Sequence, residues 1–547
     1  MKSKKIVALM SVLMMSSMAV SAFSGCGKKE IVDENYDASK AQVTVGTYDG
    51  GVGRAWLDAA AKRFEELHAN TTFGDKKGVQ VSVDADKVNY GGEYLSNSTL
   101  TRDIYFTEGV NYYSFVNNNK AADISDVVTG SMSSFGESGT IESKLDGALK
   151  GYLTAKDGKY YMLPFYDGFY GFVYDVELFE EESFYFDDAG AFIGVARDAD
   201  DATKAAFEAA KSNGPDGKDS TYDDGLPATY AQMLELVSQI NTKGFIPFCY
   251  AGATEYVDKA FRSYIADYEK YEGMTVNYTL SGKANVVTSI SGDTVSTQEI
   301  TISTENGYEL QKQAGKYYAL KMEEALFGST AYIGGTTNAD SHIDAQRKYI
   351  SSKNSGTRYA MLTEGAWWEN EAELSNAFSG NEKRADRRFA FMPVPKADAS
   401  RAGEQTMISL NSSYAFINKD SQNMEVAKEF MRFLHSDAEM SKFTATTSIT
   451  RSLSYSILDA DRASATNFGK SLIDMRNSAK VVYPYSSVKL VLDNADAFSE
   501  VKWLSTTRVG SSEYTSPMNA FMEGKATAKS YFDGLYTFQQ GQWGILK

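Results

Sequence analysis

Cysteine is almost absent: of 547 residues, only Cys26 and Cys249 carry a thiol. If Cys26 is consumed by modification, no internal disulfide is possible, and an exported chain must then be held by a large apolar core. Histidine is equally scarce, with three residues, His68, His342 and His435, far apart in the chain. They form no HExxH pair and no zinc-type Cys/His cluster, and there is no GxSxG nucleophile elbow, so metalloprotease and hydrolase chemistry has no footing. Basic residues are outnumbered, 55 Lys and Arg against 72 Asp and Glu, giving a net charge of −17. Such an acidic surface argues against nucleic acid as a partner, because phosphate binding needs clustered cations. Beyond the N-terminus no apolar run reaches the ~20 residues of a membrane span.

What is present begins with the leader. Lys2, Lys4 and Lys5 precede an apolar, serine-rich run over residues 6–22, the pattern of a secretory signal peptide. Phe23-Ser24-Gly25-Cys26 closes it and resembles the bacterial lipobox, with Phe23 in place of the usual leucine. The resemblance implies cleavage after residue 25, lipidation of Cys26, and anchoring by more than one acyl chain. Residues 26–40 are polar and charged and read as a tether.

The folded part opens with a strand at Val43-Thr44-Val45-Gly46-Thr47-Tyr48, a turn at Asp49-Gly50-Gly51-Val52-Gly53, and a helix between Arg54 and His68 whose buried stripe is Trp56, Ala60, Phe64 and Leu67. The glycine run lacks GxGxxG order and a P-loop Lys, so it is a sheet-top turn rather than a phosphate cradle. Val79-Gln80-Val81-Ser82-Val83, Asp103-Ile104-Tyr105-Phe106-Thr107 and Phe172-Val173-Tyr174-Asp175 read as further strands. Thr229 and Gln232 have capping-box spacing ahead of an apolar face of Met233, Leu236, Val237 and Ile240. Strands alternating with helices predict an open, parallel α/β sheet, with ligands at the carboxyl ends of its strands. Two insertions interrupt the pattern: residues 180–225, acidic and rich in Gly and Asp, and residues 280–303, a hairpin with Gly292 near its turn. The acidic stretch does not have EF-hand spacing and reads as a solvated loop, with calcium binding as the alternative.

Several segments, in this order, resemble the carbohydrate-binding, maltose-binding-protein-like group of extracellular solute-binding proteins of ABC importers. They are the opening strand and helix, Asp103-Ile104-Tyr105-Phe106-Thr107, Gly158-Lys159-Tyr160-Tyr161-Met162-Leu163-Pro164, and Pro227-Ala228-Thr229 with its helix. Further on come Tyr359-Ala360-Met361-Leu362-Thr363-Glu364-Gly365-Ala366-Trp367-Trp368-Glu369, Phe391-Met392-Pro393-Val394-Pro395, and Ala427-Lys428-Glu429-Phe430-Met431-Arg432-Phe433-Leu434. The resemblance implies an α/β, two-lobe periplasmic-binding-protein-like fold of type II, with a hinge and a ligand cleft between the lobes. Carried over, it puts one lobe at residues 41–165 plus 414–482 and the other at 168–410 plus 486–547, with the hinge near residues 164–171. It implies a monomer without cofactor, metal or catalytic residues, whose partners are a small carbohydrate, the permease subunits of an importer, and the membrane through the lipid.

Trp367 and Trp368 head the ligand-binding residues, since a tryptophan in this segment of related sugar binders stacks on the ligand. Adjacent residues of a strand point opposite ways, so one of the pair should face the cleft and the other the core. Tyr48 offers a ring and Asp49 a carboxylate for sugar hydroxyls; the competing reading is a strand-ending tyrosine and a helix-capping aspartate. Glu108, Tyr166 and Asp167 lie beside the expected cleft and hinge, and Asn411 and Ser412 where the chain returns to the first lobe. Trp503 and Arg508 could close over the ligand. The 35 Tyr, 30 Phe and 5 Trp suit a cleft in which aromatic faces meet pyranose C–H faces, although most must serve the core. A peptide, polyamine or organic-anion ligand remains an alternative within the binding class, and a carboxylate pair of glycosidase type a minor one outside it.

Overall fold

A computed structural model describes residues 36–251, 255–292, 294–334, 340–380, 382–410, 413–494, 497–498, 507–508 and 514–547. Cys26, Asn411, Ser412 and Trp503 lie outside the described residues, and of Arg508 only the backbone is described. Among the described residues no helix is long and apolar enough to cross a membrane.

Two sheets organise the chain. Their strands are β1 (Ala41–Thr47), β2 (Val79–Ala85), β3 (Ile104–Thr107), β4 (Met162–Pro164), β5 (Tyr170–Asp175), β6 (Ile246–Tyr250), β7 (Tyr359–Gly365), β8 (Phe389–Met392) and β9 (Tyr414–Ile417). The first sheet runs β2-β1-β3-β9-β4 and the second β6-β7-β5-β8. In the first, β1 is parallel to β2 and β3, while β9 is antiparallel to β3 and β4. In the second, β6 and β7 are parallel, and β5 runs antiparallel between β7 and β8. Both sheets are therefore mixed rather than purely parallel. Periodicity finds strands but carries no information on their direction. β3, β7 to β9 and most of β5 and β6 are buried on both sides, which explains the apolar runs that make up most of their length.

Helices cover each sheet. The first is Ala55–Leu67, with Trp56, Ala60 and Phe64 buried; Leu67, expected in the same stripe, is exposed because the helix ends there. Helix Tyr230–Thr242 is capped by Thr229, whose hydroxyl accepts from the Gln232 amide, and it buries Met233, Leu236, Val237 and Ile240. Helix Met424–Leu434 presents Val426, Ala427, Phe430, Phe433 and Leu434 to the first core. His435, just after it, is fully buried, with Nδ1 donating to the Met431 carbonyl at 2.7 Å and Nε2 facing an Arg451 Nη2 donor at 3.0 Å. Burial and the Arg451 charge drive its pKa well below the usual value, so it caps the helix as a neutral ring.

The chain passes between the bodies near residues 165–169, 409–410 and 482–486, and the crossings are bonded to one another. The Leu410 amide donates to the Gly168 carbonyl at 2.9 Å, the Phe165 amide to Ser413 at 3.0 Å, and the Ser409 amide to Val482 at 3.0 Å. Helix Asn467–Ser478 bridges the two sides. Its Phe468 meets Trp368 at 5.6 Å on the second body, while Arg476 donates to the Leu453 carbonyl.

Both insertions are ordered against the second body. Strands Gly282–Ser291 and Thr294–Ile302 form the hairpin, with Gly292 at positive φ in its turn. In the acidic loop the carboxylates face donors: Asp223 accepts from the Asp216 amide at 2.8 Å and the Thr221 hydroxyl at 2.6 Å. Burial nevertheless pushes Asp223 up to about 6.

Candidate functional site

The carboxyl ends of β1 and β3 and the end of β7 meet at the seam between the bodies. β1 delivers Tyr48, whose amide donates to the Phe106 carbonyl at 2.8 Å, and β3 delivers Glu108. The register of β7 on β5, Gly365 opposite Tyr170, continues into a bond from the Ala366 amide to the Phe169 carbonyl at 2.9 Å. That anchors Trp367 directly over the hinge. Helix Trp368–Leu374 follows, because residues 368–374 turn from period two to a helical face carrying Trp368, Glu369, Asn370, Glu371 and Ala372 inward.

The two tryptophans part company, though not by strand alternation: β7 ends at Gly365, Trp367 is the N-cap of the next helix and Trp368 its first residue. Trp368 is fully buried in the second core against Tyr349, Phe378, Phe389 and Phe468. It is a core residue. Trp367 sits at the seam, its ring centroid 4.9 Å from Tyr170 and 6.5 Å from both Tyr166 and Tyr256, each edge-on. Tyr166 comes from the first-body side of the hinge, and Tyr170 and Tyr256 from the second. The indole keeps only 7% of its surface exposed, so a ligand can reach its faces only if the bodies part. Two glycines make room for it. A methyl on Gly51 would stand 2.5 Å from Cδ1 of the indole, and one on Gly365 2.3 Å from Cη2.

Carboxylates frame the rings. The Tyr166 hydroxyl donates to Glu108 Oε1 at 2.6 Å. Desolvation raises Glu108 to about 7, with nearby Glu371 adding repulsion and Tyr166 and Lys87 pulling the other way. Glu371, one helical turn beyond Trp367, accepts from Gln346 Nε2 at 2.8 Å and faces His342 Nε2 at 3.4 Å. The same Gln346 nitrogen reaches Glu364 at 3.1 Å; burial, reinforced by Glu371, lifts that carboxyl well above its usual range. Tyr48 feels the same environment, its hydroxyl pushed up to about 12 by burial, Glu108 and Glu371. The seam is thus ringed by aromatics and by carboxyls that share field across it.

Direct bonds also join the bodies. Asn370 Nδ2 donates to the Gly51 carbonyl at 2.8 Å and to that of Val52 at 2.9 Å. Arg384 donates to the Ser448 hydroxyl at 2.9 Å, and Ser448 in turn to Glu369 at 3.0 Å.

Other expected residues fall elsewhere. Asp167 is fully buried within the hinge: its amide donates to the Thr450 carbonyl, and its carboxylate accepts from Thr450 at 2.9 Å, Tyr483 at 3.1 Å and Arg476 at 3.4 Å. With its oxygens turned inward it pins the crossing rather than lining the seam. Asp49 is exposed at the end of β1 and caps no helix, since Arg54 holds the cap position without a side-chain bond. Sequence reading missed Tyr170, Tyr256, His342, Asn370, Glu371 and Gly51. Asn370 and Glu371 could have been found, being three and four residues beyond Trp367 and so on its face of a helix. Tyr256 and His342 come from distant helices and leave no local signal.

No protein-family model matches the chain, and comparison with curated proteins finds no match. Solved structures do resemble it. Apo RafE from Streptococcus pneumoniae aligns over 93% of this chain and 99% of its own, with 13% identity and a TM-score of 0.52. The GacH receptor of Streptomyces glaucescens, solved unliganded and with acarbose, aligns over 93% and 100%, at 14% identity and a TM-score of 0.53. The cyclic α-maltosyl-1,6-maltose binding protein from Arthrobacter globiformis gives 93% and 99%, 13% and 0.52. These likenesses establish the fold as that of two-lobe solute-binding proteins.

Proposed function

We propose that the protein is an extracellular solute-binding lipoprotein that captures a sugar or oligosaccharide between its lobes and hands it, chemically unchanged, to an ABC importer. The observation that carries this reading is the cluster at the seam: Trp367, Tyr166, Tyr170 and Tyr256 with Glu108 and Glu371, assembled from both bodies over a three-segment hinge. Aromatic faces take the C–H side of a pyranose, and carboxylates accept its hydroxyls. In this reading one lobe is residues 41–165 plus 414–482 and the other 168–410 plus 486–547, and helix Asn467–Ser478, whose Phe468 packs on Trp368, lies against the second. Closure buries the ligand and creates the surface that docks on the permease; the importer releases the ligand by drawing the lobes apart. The chain acts as a monomer held to the outer face of the membrane through lipidated Cys26.

A thermal-shift screen of the mature protein against mono- and oligosaccharides, peptides and polyamines tests the reading. A ligand at about a hundred times its Kd adds ~2.7 kcal/mol and a shift of several degrees. Stabilisation by non-carbohydrates alone would overturn the sugar assignment. A second reading, a cationic solute such as a polyamine, is favoured by one observation: burial holds the Glu108 carboxyl up at the seam, and the charge of Glu371 from the other body adds to that cost. An ammonium between them would remove that cost and rest on the rings.

A further inference from the structure

A cavity of about 1100 Å³ leads away from the seam over the first body, beginning at Tyr48 and Glu108 and ending at Asn97, Ser98 and Thr99. This exceeds the roughly 300–1,000 Å³ that encloses a drug-sized ligand. Its floor is backbone. Gly92 packs so tightly on the next loop that a methyl there would stand 2.5 Å from the Gly109 carbonyl oxygen. Gly109 itself, at φ +70°, faces open space, so the trough above this floor is empty of side chains.

The walls are unusual for a surface. Val88 is 72% exposed and Tyr94 48% exposed, two of the few large apolar side chains that stand in solvent among the described residues, and both line this one trough. Exposed apolar groups gathered at one place mark a contact surface more than chance does. Hydrogen-bonding groups of mixed charge line the same trough, Lys87 and Glu93 beside the apolar groups in the chain, together with Asn97, Ser98 and Thr99. A lining of ring, amide and hydroxyl with no dominant sign of charge suits a neutral chain of sugar hydroxyls.

Resting on the capture reading above, we infer that the ligand is an oligosaccharide of several units, its first unit at Trp367 and its outer units in the trough, with Tyr94 as a remote stacking platform that sets chain-length preference. Tyr94 lies on helix Gly92–Asn97, with its side chain half in water. An outer sugar would cover that ring. A monosaccharide would leave it bare.

The test is calorimetric titration of the mature protein with gluco-, xylo- and chito-oligosaccharides of one to six units, on wild type, Tyr94→Ala and Trp367→Ala. The expected result is affinity that climbs with length in wild type. Tyr94→Ala should lose about five- to ten-fold for the longer members, the order of one aromatic contact, and nothing for the one- or two-unit members. Its melting temperature should be unchanged, because the side chain is half in solvent. Wild type that binds a single sugar as tightly as any longer chain, or a Tyr94→Ala protein with an unaltered length profile, overturns the trough while leaving capture at Trp367 intact. Absence of binding by any member of the series overturns both.

Discussion

Gly51 offers the most direct probe of closure. It belongs to the first body, while the indole it touches belongs to the second. Its φ is not in the left-handed region, so alanine is compatible with the backbone and the only new interaction is the methyl. That methyl would stand 2.5 Å from Cδ1 and 2.9 Å from Cγ of Trp367, about an ångström inside ordinary contact. Overpacking of this kind costs about 1–3 kcal/mol. If the contact forms only when the lobes close, the whole cost falls on the liganded state, and Gly51→Ala should weaken binding by about five- to 150-fold. The unliganded, open chain would feel none of it. Isothermal titration against the best ligand from the thermal screen gives the first number, and thermal melting without ligand gives the second. Affinity within twofold of wild type would refute the reasoning. So would an equal loss of stability without ligand, which would make the Gly51–Trp367 contact a permanent part of the fold rather than a consequence of closure.

Further outcomes separate the residues of the seam. Trp367→Ala should abolish sugar binding and cost less stability than Trp368→Ala, which empties a fully buried site and should cost about 3–5 kcal/mol in urea denaturation. Glu108 keeps its proton to about 7 in the folded chain against a usual 4.5, so its contribution to stability is complete below pH 4.5 and is lost as pH rises through 7. Glu108→Gln should therefore match wild type at pH 5 and exceed it at pH 8, by about 1–2 kcal/mol once partial exposure is allowed for, as read from melting curves. Asp167→Ala leaves Arg476 and Tyr483 without their buried partner and should destabilise by about 3 kcal/mol, while Asp167→Asn, which keeps the Thr450 and Tyr483 contacts, should cost less.

Sequence alone determined the local elements, because each carries its own physics. The stripe of Trp56, Ala60 and Phe64, the cap at Thr229, the hairpin turn at Gly292 and the apolar runs of β3 and β7 are each written within about a dozen consecutive residues. It also singled out Trp367 and Trp368 as a pair of which one meets the seam, but through strand alternation, which does not apply: β7 ends at Gly365, and the two rings part at the cap and first residue of the following helix. Only the tertiary structure decided which side was which, and it did so through Phe389 and Phe468, which claim Trp368, and Tyr166 and Tyr170, which flank Trp367. Strand direction, the inward turn of Asp167, and the influence of Glu371 on Glu108 were likewise invisible, because each depends on residues far apart in the chain. A carboxylate is legible in a sequence as a charge; whether it lines a cleft or pins a hinge is set by which donors the fold brings to it.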